Sequence, residues 1–439
     1  SMSRLACSVV LLLAAAAFAA ADGDIWAVLV AGSNGWYNYR HQADVAHSYQ
    51  ILTKHGVSPD HIITFMYDDI ANNPSNKYKG KLFNNPKGKD VYAGVKIDYK
   101  GSACNQANFA QVLRGNSSGV VGGNGRVLKS NKNDRVFVFF SDHGAPGLIA
   151  FPDDIMTVQT LNSALTYAAS AGLFKELVFY LESCESGSMF KDVLPSNIGV
   201  YAMTASNERL DSWAAYCDNP LGLPCLGDVF SVSWMENSDI VDLKKTTIAK
   251  QFTVVQKETD TSPVSHYGQL PIESEALANF QGPNAPSMAA AEQMTEKERA
   301  SRHAELLQSA WPSRDVELLH HARLASAAAT PEEALRAQQR VAEINEDRRA
   351  VRARYEELAT ALFGDDHTKK NALFMEHGSI SDVACHHEVV HAFDNVCVDL
   401  NKHEYALRYV NVLNNACAAL KGDSAQIIRA MLSVCPSLF

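Results

Sequence analysis

The chain has 439 residues, 46% of them hydrophobic, which is enough for a sizeable buried core and for more than one domain. Its formal net charge of −10 and the lack of a long basic run argue against a nucleic-acid-binding protein. Beyond the N-terminal segment there is no apolar run of about 18 residues, so we expect no membrane span in the mature chain.

The first residues have the pattern of a secretory signal peptide. Arg4 precedes the apolar run Ser8–Leu13, and an alanine-rich stretch ends at Ala21. A basic start, a short apolar stretch and an Ala-x-Ala end are typical of a cleavable signal, which we predict over residues 1–21. A membrane anchor is the alternative, and the short length of the segment argues against it. The prediction directs the protein to the secretory pathway.

From Asp24 to about Asp239, apolar runs alternate with helical patterns. A helix is predicted over Ala43–His55, and the predicted strands are Ile25–Ala31, Ile62–Met66, Arg135–Ser141, Leu177–Leu181 and Gly199–Met203. Continuous Val, Ile and Phe runs between helices favour a mostly parallel sheet that is covered on both faces. In such sheets the reactive groups gather at the carboxyl ends of the strands.

The remaining segments differ in composition. Asn72–Lys100 is rich in Asn, Lys, Gly and Pro and predicts a long surface loop, and Gln281–Pro286 has the composition of a linker. Helices are predicted over Met288–Ser309, Ser313–Ala328 and Pro331–Leu362. Thr330 before Pro331 and two glutamates marks a helix start, so we expect an all-α C-terminal region.

The cysteines of a secreted protein are candidates for disulfide bonds. After removal of Cys7 with the signal peptide, an even number remains, which would suit four disulfides. Their distribution is uneven: there is a close pair, a C-terminal group and two isolated residues. In that order they are Cys217 and Cys225; Cys385, Cys397, Cys417 and Cys435; and Cys104 and Cys184. Two disulfides would stabilise a small helical domain with a limited core.

Two strand ends carry chemistry. The third predicted strand leads into Asp142, His143 and Gly144, and the fourth leads into Glu182 and Cys184. If the two strands are neighbours, the imidazole and the thiol meet at the carboxyl edge of the sheet. A Cys–His pair is the usual arrangement for thiolate attack on a carbonyl. The backbone N–H groups of Gly144 and Cys184 are the expected oxyanion donors.

Each residue taken alone has an ordinary explanation. His143 could simply end a strand, and Cys184 could be buried or disulfide-bonded. Both follow apolar strands, and both are followed by glycine within three residues. This combination favours a catalytic pair.

The motifs around these residues resemble those of the legumains, which are also called asparaginyl endopeptidases or vacuolar processing enzymes. The similar segments are Ser-Asp-His-Gly at 141–144, Glu-Ser-Cys-Glu-Ser-Gly-Ser at 182–188, LVAGSNGWYNYRHQADVAHSYQIL at 29–52, MYDDIA at 66–71 and GDVFSVSWMENSD at 227–239. The resemblance continues through the C-terminal helices. It implies a caspase-like catalytic domain over 22–281, a linker or activation peptide over 282–330, and an inhibitory helical prodomain over 331–439.

The resemblance also implies roles for individual residues. Cys184 is the nucleophile, His143 is the base, and Asn38 orients the imidazole. The pocket for the residue before the cleaved bond maps onto Arg40, His41, Glu182, Ser212 and Asp228. Cleavage is expected after asparagine and, at low pH, after aspartate. An asparagine side chain can accept from Arg40 and donate to the carboxylates, whereas an aspartate would be repelled by them.

Further features follow from the family pattern. Asp142 corresponds to an aspartate that can form a succinimide, a feature linked to peptide ligation. The implied disulfides are Cys217–Cys225, Cys385–Cys417 and Cys397–Cys435, which leaves Cys104 as a free buried thiol. Asn116 begins an N-glycosylation sequon.

The sequence departs from the family pattern at three places. Ser183 replaces the usual alanine, and Arg114-Gly115-Asn116 replaces the Arg-Gly-Asp triplet of animal members, so integrin binding is not implied. The linker stretch 308–315 lacks an asparagine. Asn279, Asn284 and Asn345 are therefore the candidates for self-cleavage.

The leading hypothesis is a cysteine endopeptidase that is made as an acid-activated zymogen and inhibited by its own prodomain. Its substrates are expected to be peptides and proteins with an accessible asparagine, and its location a vacuole, a lysosome or the extracellular space. The first alternative is an asparaginyl peptide ligase or cyclase that uses the same acyl-enzyme. A glycolipid-anchor transamidase subunit and a helical binding module with an inactive protease domain are further alternatives. No cofactor is expected, and no histidine group has zinc-ligand spacing.

Overall fold

A mostly parallel sheet forms the centre of the first part of the molecule. The computed structural model describes residues 23–284 and 296–435, so the predicted signal peptide lies outside the described residues. The seven-stranded sheet has the order β12-β9-β8-β4-β1-β2-β3, and only β12 pairs antiparallel. Its strands are β1 Ile25–Ala31, β2 Ile62–Met66, β3 Tyr99–Lys100, β4 Arg135–Ser141, β8 Glu176–Glu182, β9 Val200–Thr204 and β12 Ser265–Gly268. The five strands predicted from apolar runs all lie in this sheet.

Helices cover both faces of this sheet, because its strands are apolar on both sides. Alternate residues of β1 point into two separate hydrophobic clusters, with Leu29 in one and Val28 in the other. One cluster packs against α1 Tyr39–Lys54, α4 Val229–Ile240, α5 Ile248–Glu258 and α6 Ala278–Gln281; the other packs against α2 Gln106–Leu113 and α3 Val158–Ser170. The prediction of a sheet with helices on both faces is confirmed.

The first helix begins earlier than predicted. The apolar pattern placed its start at Ala43, whereas α1 starts at Tyr39 and so includes Arg40 and His41. The first turn is polar but buried, with Arg40 and His41 each about 1% exposed. A hydrophobic pattern does not mark such a turn, because its side chains face a polar pocket.

Two small antiparallel sheets flank the carboxyl edge of the main sheet. One consists of β5 Gly144–Ala145, β6 Leu148–Ala150 and β7 Ile155–Thr157. The other consists of β10 Trp213–Ala215, β11 Gly227–Asp228 and β13 Trp311–Pro312. The segment 67–98, most of the predicted surface loop, contains no helix or strand, and β3 ends that loop.

The C-terminal region is helical and carries two disulfides. Its helices are α7 Glu296–Gln308, α8 Val316–Ala327, α9 Pro331–Phe363, α10 His367–Met375, α11 Val383–Val396, α12 Asn411–Ala419 and α13 Ser424–Val434. At the start of α9, Thr330 and Glu333 form a reciprocal capping box. The structure pairs Cys385 with Cys417 and Cys397 with Cys435, and it pairs Cys217 with Cys225 in the first part of the chain.

The predicted helix from Ser313 begins as a 3-10 turn over Ser313–Asp315, directly after the strand Trp311–Pro312, and becomes α-helical at Val316. The predicted helix from Met288 is described only from Glu296, and residues 288–295 lie outside the described residues. Within the parts of the chain that the structure describes, none of the helices combines the length and the apolar character needed to cross a membrane.

Candidate active site

The register of two neighbouring strands brings His143 and Cys184 to one edge of the sheet. In the parallel pair β4–β8, Ser141 lies opposite Glu182, and each reactive residue follows two positions later. A Cβ atom on Gly144 would lie 2.6 Å from the carbonyl oxygen of Cys184, so only glycine permits this close approach of the two strand ends. Both His143 and Cys184 are buried.

Asn38 lies within hydrogen-bond distance of the imidazole of His143. It precedes α1, and its Oδ1 lies 2.9 Å from Nε2 of His143. In the neutral tautomer with the proton on Nε2, that nitrogen donates to Asn38 and Nδ1 is the acceptor. This tautomer leaves a lone pair with which the imidazole can take a proton from a thiol.

The thiol of Cys184 is protonated in this closed form. Burial raises the pKa of Cys184, and the guanidinium of Arg314 offsets only part of that effect. The sulfur accepts a hydrogen bond from the backbone N–H of Ser212 at 3.3 Å. A base is therefore needed to form the thiolate, and His143 is the neighbouring candidate.

A buried polar pocket lies beside this pair. Arg40 and Asp228 form an ion pair at 2.9 Å, and each is 1% exposed. Glu182 accepts hydrogen bonds with one carboxylate oxygen from the backbone N–H of Ser231 at 3.1 Å and from its hydroxyl at 3.0 Å. Burial and then the charge of Asp228 raise the pKa of Glu182 well above its ordinary value.

Three buried atoms of this pocket lack a hydrogen-bond partner among the described residues. They are Nη2 of Arg40, Oδ2 of Asp228 and Oε1 of Glu182. One is a donor and two are acceptors. A carboxamide side chain offers the reverse set, one carbonyl acceptor and an NH₂ group with two donors.

His41 contacts both the pocket residue Asp228 and the catalytic-site residues Asp142 and His143. Nδ1 of His41 lies 2.6 Å from the hydroxyl of Ser33 and 3.4 Å from the carboxyl of Asp142, and its Nε2 lies 3.6 Å from Asp228. Burial lowers the pKa of His41 well below its usual range, and it raises the pKa of Asp142 to about 8. Both groups are therefore neutral near pH 7.

The linker covers the catalytic thiol as an added strand. Trp311 and Pro312 pair antiparallel with Ala214 and Trp213, and the N–H of Ser313 donates to the carbonyl of Ser212 at 3.1 Å. This pairing continues the edge of β10 in the way that protein substrates add a strand to a sheet. The linker therefore occupies the groove that leads to Cys184.

Arg314 follows directly and reaches past the thiol. Its guanidinium donates to Glu185 at 2.7 Å and to the carbonyl of Gly144 at 2.7 Å, and it also contacts Asp211. The side chain of Arg314 is only 4% exposed. It is a buried and fully engaged cation next to the nucleophile.

Glu404 of the C-terminal region contacts His143 and Asn38 directly. Its carboxylate accepts from Nδ2 of Asn38 at 2.7 Å and lies 3.2 Å from Nε2 of His143. Burial of the imidazole works against protonation, but Glu404 outweighs it and raises the pKa of His143. The contact thus favours the imidazolium form of His143, which cannot accept a proton from the thiol.

A second contact between the two regions is made by histidines of α11. His386 is fully buried, and its Nε2 lies 2.9 Å from the carbonyl of Pro146. Gly147 makes room for it, since a Cβ there would lie 2.7 Å from the ring. Nδ1 of His387 lies 2.7 Å from the hydroxyl of Thr157. Burial lowers the pKa of His386 to about 4, so this contact requires the neutral ring.

Among the residues that the structure describes, two groups of side chains offer atoms that could bind a metal ion. One consists of His41, Asp142 and His143, and the other of Cys184, Glu185 and Asp211. In the first group, His41 contacts Ser33 and His143 contacts Asn38 through hydrogen bonds; in the second, Glu185 and Asp211 contact the guanidinium of Arg314.

The remaining predicted site residues lie apart. Asn116 is exposed, and its side chain contacts Gln111 and Ser118. Cys104 is a buried free thiol whose sulfur lies 3.5 Å from the carbonyl of Ala31.

Sequence reasoning missed the groups that complete the site. They are Ser33, Glu185, Asp211, Ser231, Arg314, His386 and Glu404. Only Glu185 carried a local signal, since it follows the nucleophile directly. The others come from elements whose arrangement depends on tertiary packing.

This arrangement, a thiol and an imidazole at neighbouring strand ends beside a polar pocket and beneath a strand-like segment, defines a cysteine peptidase in precursor form. Residues 25–283 match the model of the peptidase C13 family, and residues 339–435 match the legumain prodomain. The chain belongs to the peptidase C13 family and has a legumain-type prodomain.

The relatives agree with this assignment. Legumain from Bos taurus is 39% identical over 402 residues, which cover 90% of this chain and 89% of that protein. The vacuolar-processing enzyme delta-isozyme of Arabidopsis thaliana is 46% identical over 277 residues, which cover 60% of this chain and 59% of that protein. A caspase-1 structure from Spodoptera frugiperda overlaps 54% of this chain and 76% of that chain at 10% identity, with a TM-score of 0.33.

Proposed function

We propose that the protein is an endopeptidase that cleaves after asparagine and is made as an acid-activated precursor. The observation that carries the proposal is the set of three unpaired buried atoms, one donor on Arg40 and one acceptor each on Asp228 and Glu182. A bound asparagine side chain would pair with all three. A buried site with unpaired hydrogen-bonding groups strongly disfavours side chains that cannot pair with them.

The catalytic cycle follows from the thiol and the imidazole. His143 takes the thiol proton, and the sulfur of Cys184 forms a bond to the backbone carbonyl carbon of the asparagine. The backbone N–H groups of Gly144 and Cys184 stabilise the oxyanion. The C–N bond then breaks, His143 gives its proton to the departing amine, and a water molecule hydrolyses the thioester.

Aspartate should be accepted only in acid. Its two carboxylate oxygens would face Glu182 and Asp228, and the pKa values of both are raised by burial. Protonation of these groups, or of the substrate carboxyl, removes the repulsion. The Asn-to-Asp preference should therefore fall as the pH falls.

Acid should also loosen the cover, through His386 first and through Glu404 only in stronger acid. His386 has a lowered pKa when docked, so the undocked state binds more protons between about pH 6.5 and about pH 4. Burial acts against ionisation of Glu404, but His143 outweighs it and lowers the pKa of Glu404, so this contact persists above the ordinary pKa and is lost on acidification. The raised pKa of His143 has the opposite sign, since the covered form binds the extra proton, so the Glu404 contact strengthens as the imidazole is protonated and weakens only when acid protonates Glu404. Salt also weakens the Glu404 contact, because its side chain is 43% exposed.

Several other proposals accompany this function. Activation removes the part of the chain beyond the catalytic domain, with the linker over 282–330 and the prodomain over 331–439. Of the candidate cleavage residues, Asn284 is exposed, whereas Asn279 lies in α6 and Asn345 in α9. An acid-labile cover and a signal peptide suit a vacuole or a lysosome that is reached through the secretory pathway. Asn116 is exposed, as a glycosylation site requires.

A peptide ligase remains the second candidate, because an amine can resolve the same thioester in place of water. The observation that favours it is Asp142, whose raised pKa keeps its carboxyl neutral beside the catalytic imidazole. A neutral carboxyl next to a backbone amide is the form that closes a succinimide. The product of the reaction distinguishes the two functions.

The test uses the full chain after incubation at about pH 4.5, where His386 and the carboxylates begin to change charge. Fluorogenic Ala-Ala-X peptides with X as asparagine, aspartate, glutamine or leucine measure the specificity, and unacidified protein is the control. We expect cleavage of only the asparagine peptide near neutral pH, and cleavage of the aspartate peptide as well at acidic pH. Preference for leucine or glutamine would refute the assignment of the pocket, and a cyclic product from a longer peptide would identify a ligase.

A further inference from the structure

We propose that Glu185 and Asp211 form a subsite that binds an arginine or lysine side chain immediately after the cleaved asparagine. The proposal rests on the proposed function, since it concerns the other side of the same scissile bond. The first ground for it is the guanidinium of Arg314. It contacts both carboxylates and is almost fully buried in the zymogen.

The strand register identifies the position that Arg314 occupies. Trp311, Pro312 and Ser313 run antiparallel to β10, and Ser313 donates its N–H to the carbonyl of Ser212. The N–H of Ser212 in turn donates to the sulfur of Cys184. A substrate that pairs in this register places the residue before its scissile bond where Ser313 lies, and the next residue where Arg314 lies.

The positive charges that contact Glu185 and Asp211 belong to the segment that the proposed activation removes. Arg314 donates to Glu185 at 2.7 Å, and Arg408 donates to Asp211 at 3.1 Å. Both arginines lie beyond residue 284, so they leave together with the linker and prodomain. The mature groove then keeps two carboxylates beside the nucleophile, and Glu185 is held in a left-handed backbone conformation with φ of 44°.

The chemistry of the subsite selects for a cation. A guanidinium can bond one carboxylate with two N–H groups and still reach the second carboxylate, as Arg314 does. A lysine supplies the charge without the planar fork. A glutamate at the same position would face two like charges in a partly buried groove. We therefore expect the order arginine, lysine, alanine and glutamate for the residue after asparagine.

The experiment compares internally quenched peptides that contain Ala-Ala-Asn followed by arginine, alanine or glutamate. The acid-activated full chain is assayed at about pH 5.5, where ordinary carboxylates are ionised. We expect kcat/KM for the arginine peptide to exceed that for the alanine peptide about tenfold, the range of a charge-assisted hydrogen-bonded pair. Mass spectrometry confirms that each peptide is cut after the asparagine.

Variants test whether the two carboxylates cause this preference. Asp211→Asn and Glu185→Gln should each lower the arginine-to-alanine ratio, and ratios within one preparation are independent of the amount of active enzyme. Asp218→Asn is the matched control, because Asp218 also loses an arginine partner, Arg323, but lies outside the groove described here. Its ratio should equal that of the unsubstituted enzyme.

Two results would overturn the inference: equal rates for arginine and glutamate peptides, or an arginine preference that both variants retain. Failure of the proposed function looks different. A fluorogenic Ala-Ala-Asn substrate has no amino acid after the asparagine, so its cleavage depends on the asparagine pocket and the catalytic pair. If that substrate is not cleaved, the proposed function fails; if it is cleaved without any charge preference in the peptides, only the subsite fails.

Discussion

The proposed asparagine pocket and the cover, which consists of the linker and prodomain beyond residue 284, differ in how their polar groups are satisfied. The pocket is built on strand and helix ends, and it contains unpaired atoms on Arg40, Asp228 and Glu182. The groups of the cover that contact the site are paired: Arg314 with two carboxylates and a carbonyl, and Glu404 with the catalytic asparagine and histidine. The pocket is therefore ready for a ligand, and the cover is held by contacts that depend on charge.

Under the proposed function, this difference implies that activation removes a segment and leaves the catalytic groups in their final arrangement. The distance between Asn38 and His143 and the register between β4 and β8 come from the catalytic domain alone. The contacts of the cover are made by Glu404, His386 and Arg314, which change charge in acid or leave with the removed segment. Four substitutions test the contrast, in order of decreasing effect.

The largest effect should come from Cys184→Ala. Loss of the nucleophile should lower kcat for an asparagine peptide by roughly a thousandfold or more. Cys104→Ala is the matched control, since Cys104 is also buried and free but belongs to a hydrophobic cluster. Steady-state kinetics after acid activation should show near-normal activity for this control. Equal losses in the two variants would contradict the assignment of the nucleophile.

Asp228→Asn should impair binding of the substrate side chain in the pocket. The variant replaces an acceptor that faces the substrate amide and breaks a buried charge pair, so kcat/KM for asparagine should fall about a hundredfold. The ratio of asparagine to aspartate cleavage should also fall, because one repelling carboxylate is gone. Asp218→Asn serves as the control. An unchanged ratio would show that Asp228 does not determine the preference for asparagine over aspartate.

Ser313→Asn tests whether the cover lies in the groove as a substrate does. The new asparagine would enter the pocket, so we expect a fragment that begins at Arg314 to appear about tenfold faster than in the unsubstituted chain. Ser326→Asn is the control, because that exposed residue lies within helix α8. Intact-mass spectrometry after acidification detects the fragment. If peptides are cleaved but this bond is not, the register assigned to the linker is wrong.

The smallest effect concerns the pH of activation. His386→Gln keeps an N–H donor for the carbonyl of Pro146 but cannot become charged, so acid should release the prodomain less readily. The midpoint of activation should move to lower pH by about half a unit. His367→Gln, which alters an exposed histidine at the start of α10, should leave it unchanged. A shift in the opposite direction would exclude His386 as a proton-linked contact.

Much of the catalytic domain could be predicted from the chain. Apolar runs marked the five central strands, and the polar residues after two of them identified His143 and Cys184. This worked because a buried parallel strand has a continuous apolar signal and because reactive groups lie where such strands end. The short β3 and β12 were not found, since β3 has only two residues and β12 has a polar edge sequence.

The cover was not predictable in the same way. Ser313 was assigned to a helix because its neighbours have helical composition, yet the adjacent residues pair with β10. Glu404 and His386 have no local pattern that distinguishes them from other polar residues of the helical region. Their roles depend on how two separate regions pack, which periodicity within a segment does not encode. The family resemblance supplied the inhibitory prodomain, but not the side chains that contact the site.

The strand Trp311–Pro312 has a consequence for inhibition once the chain is cut. A tethered segment meets its groove at an effective concentration in the millimolar range, so contacts of modest affinity suffice to hold it. After cleavage of the linker the same contacts must compete at the much lower concentration of free protein. Cleavage of one peptide bond therefore turns an intramolecular inhibitor into one that can dissociate. Dilution should favour the active enzyme only after that cleavage.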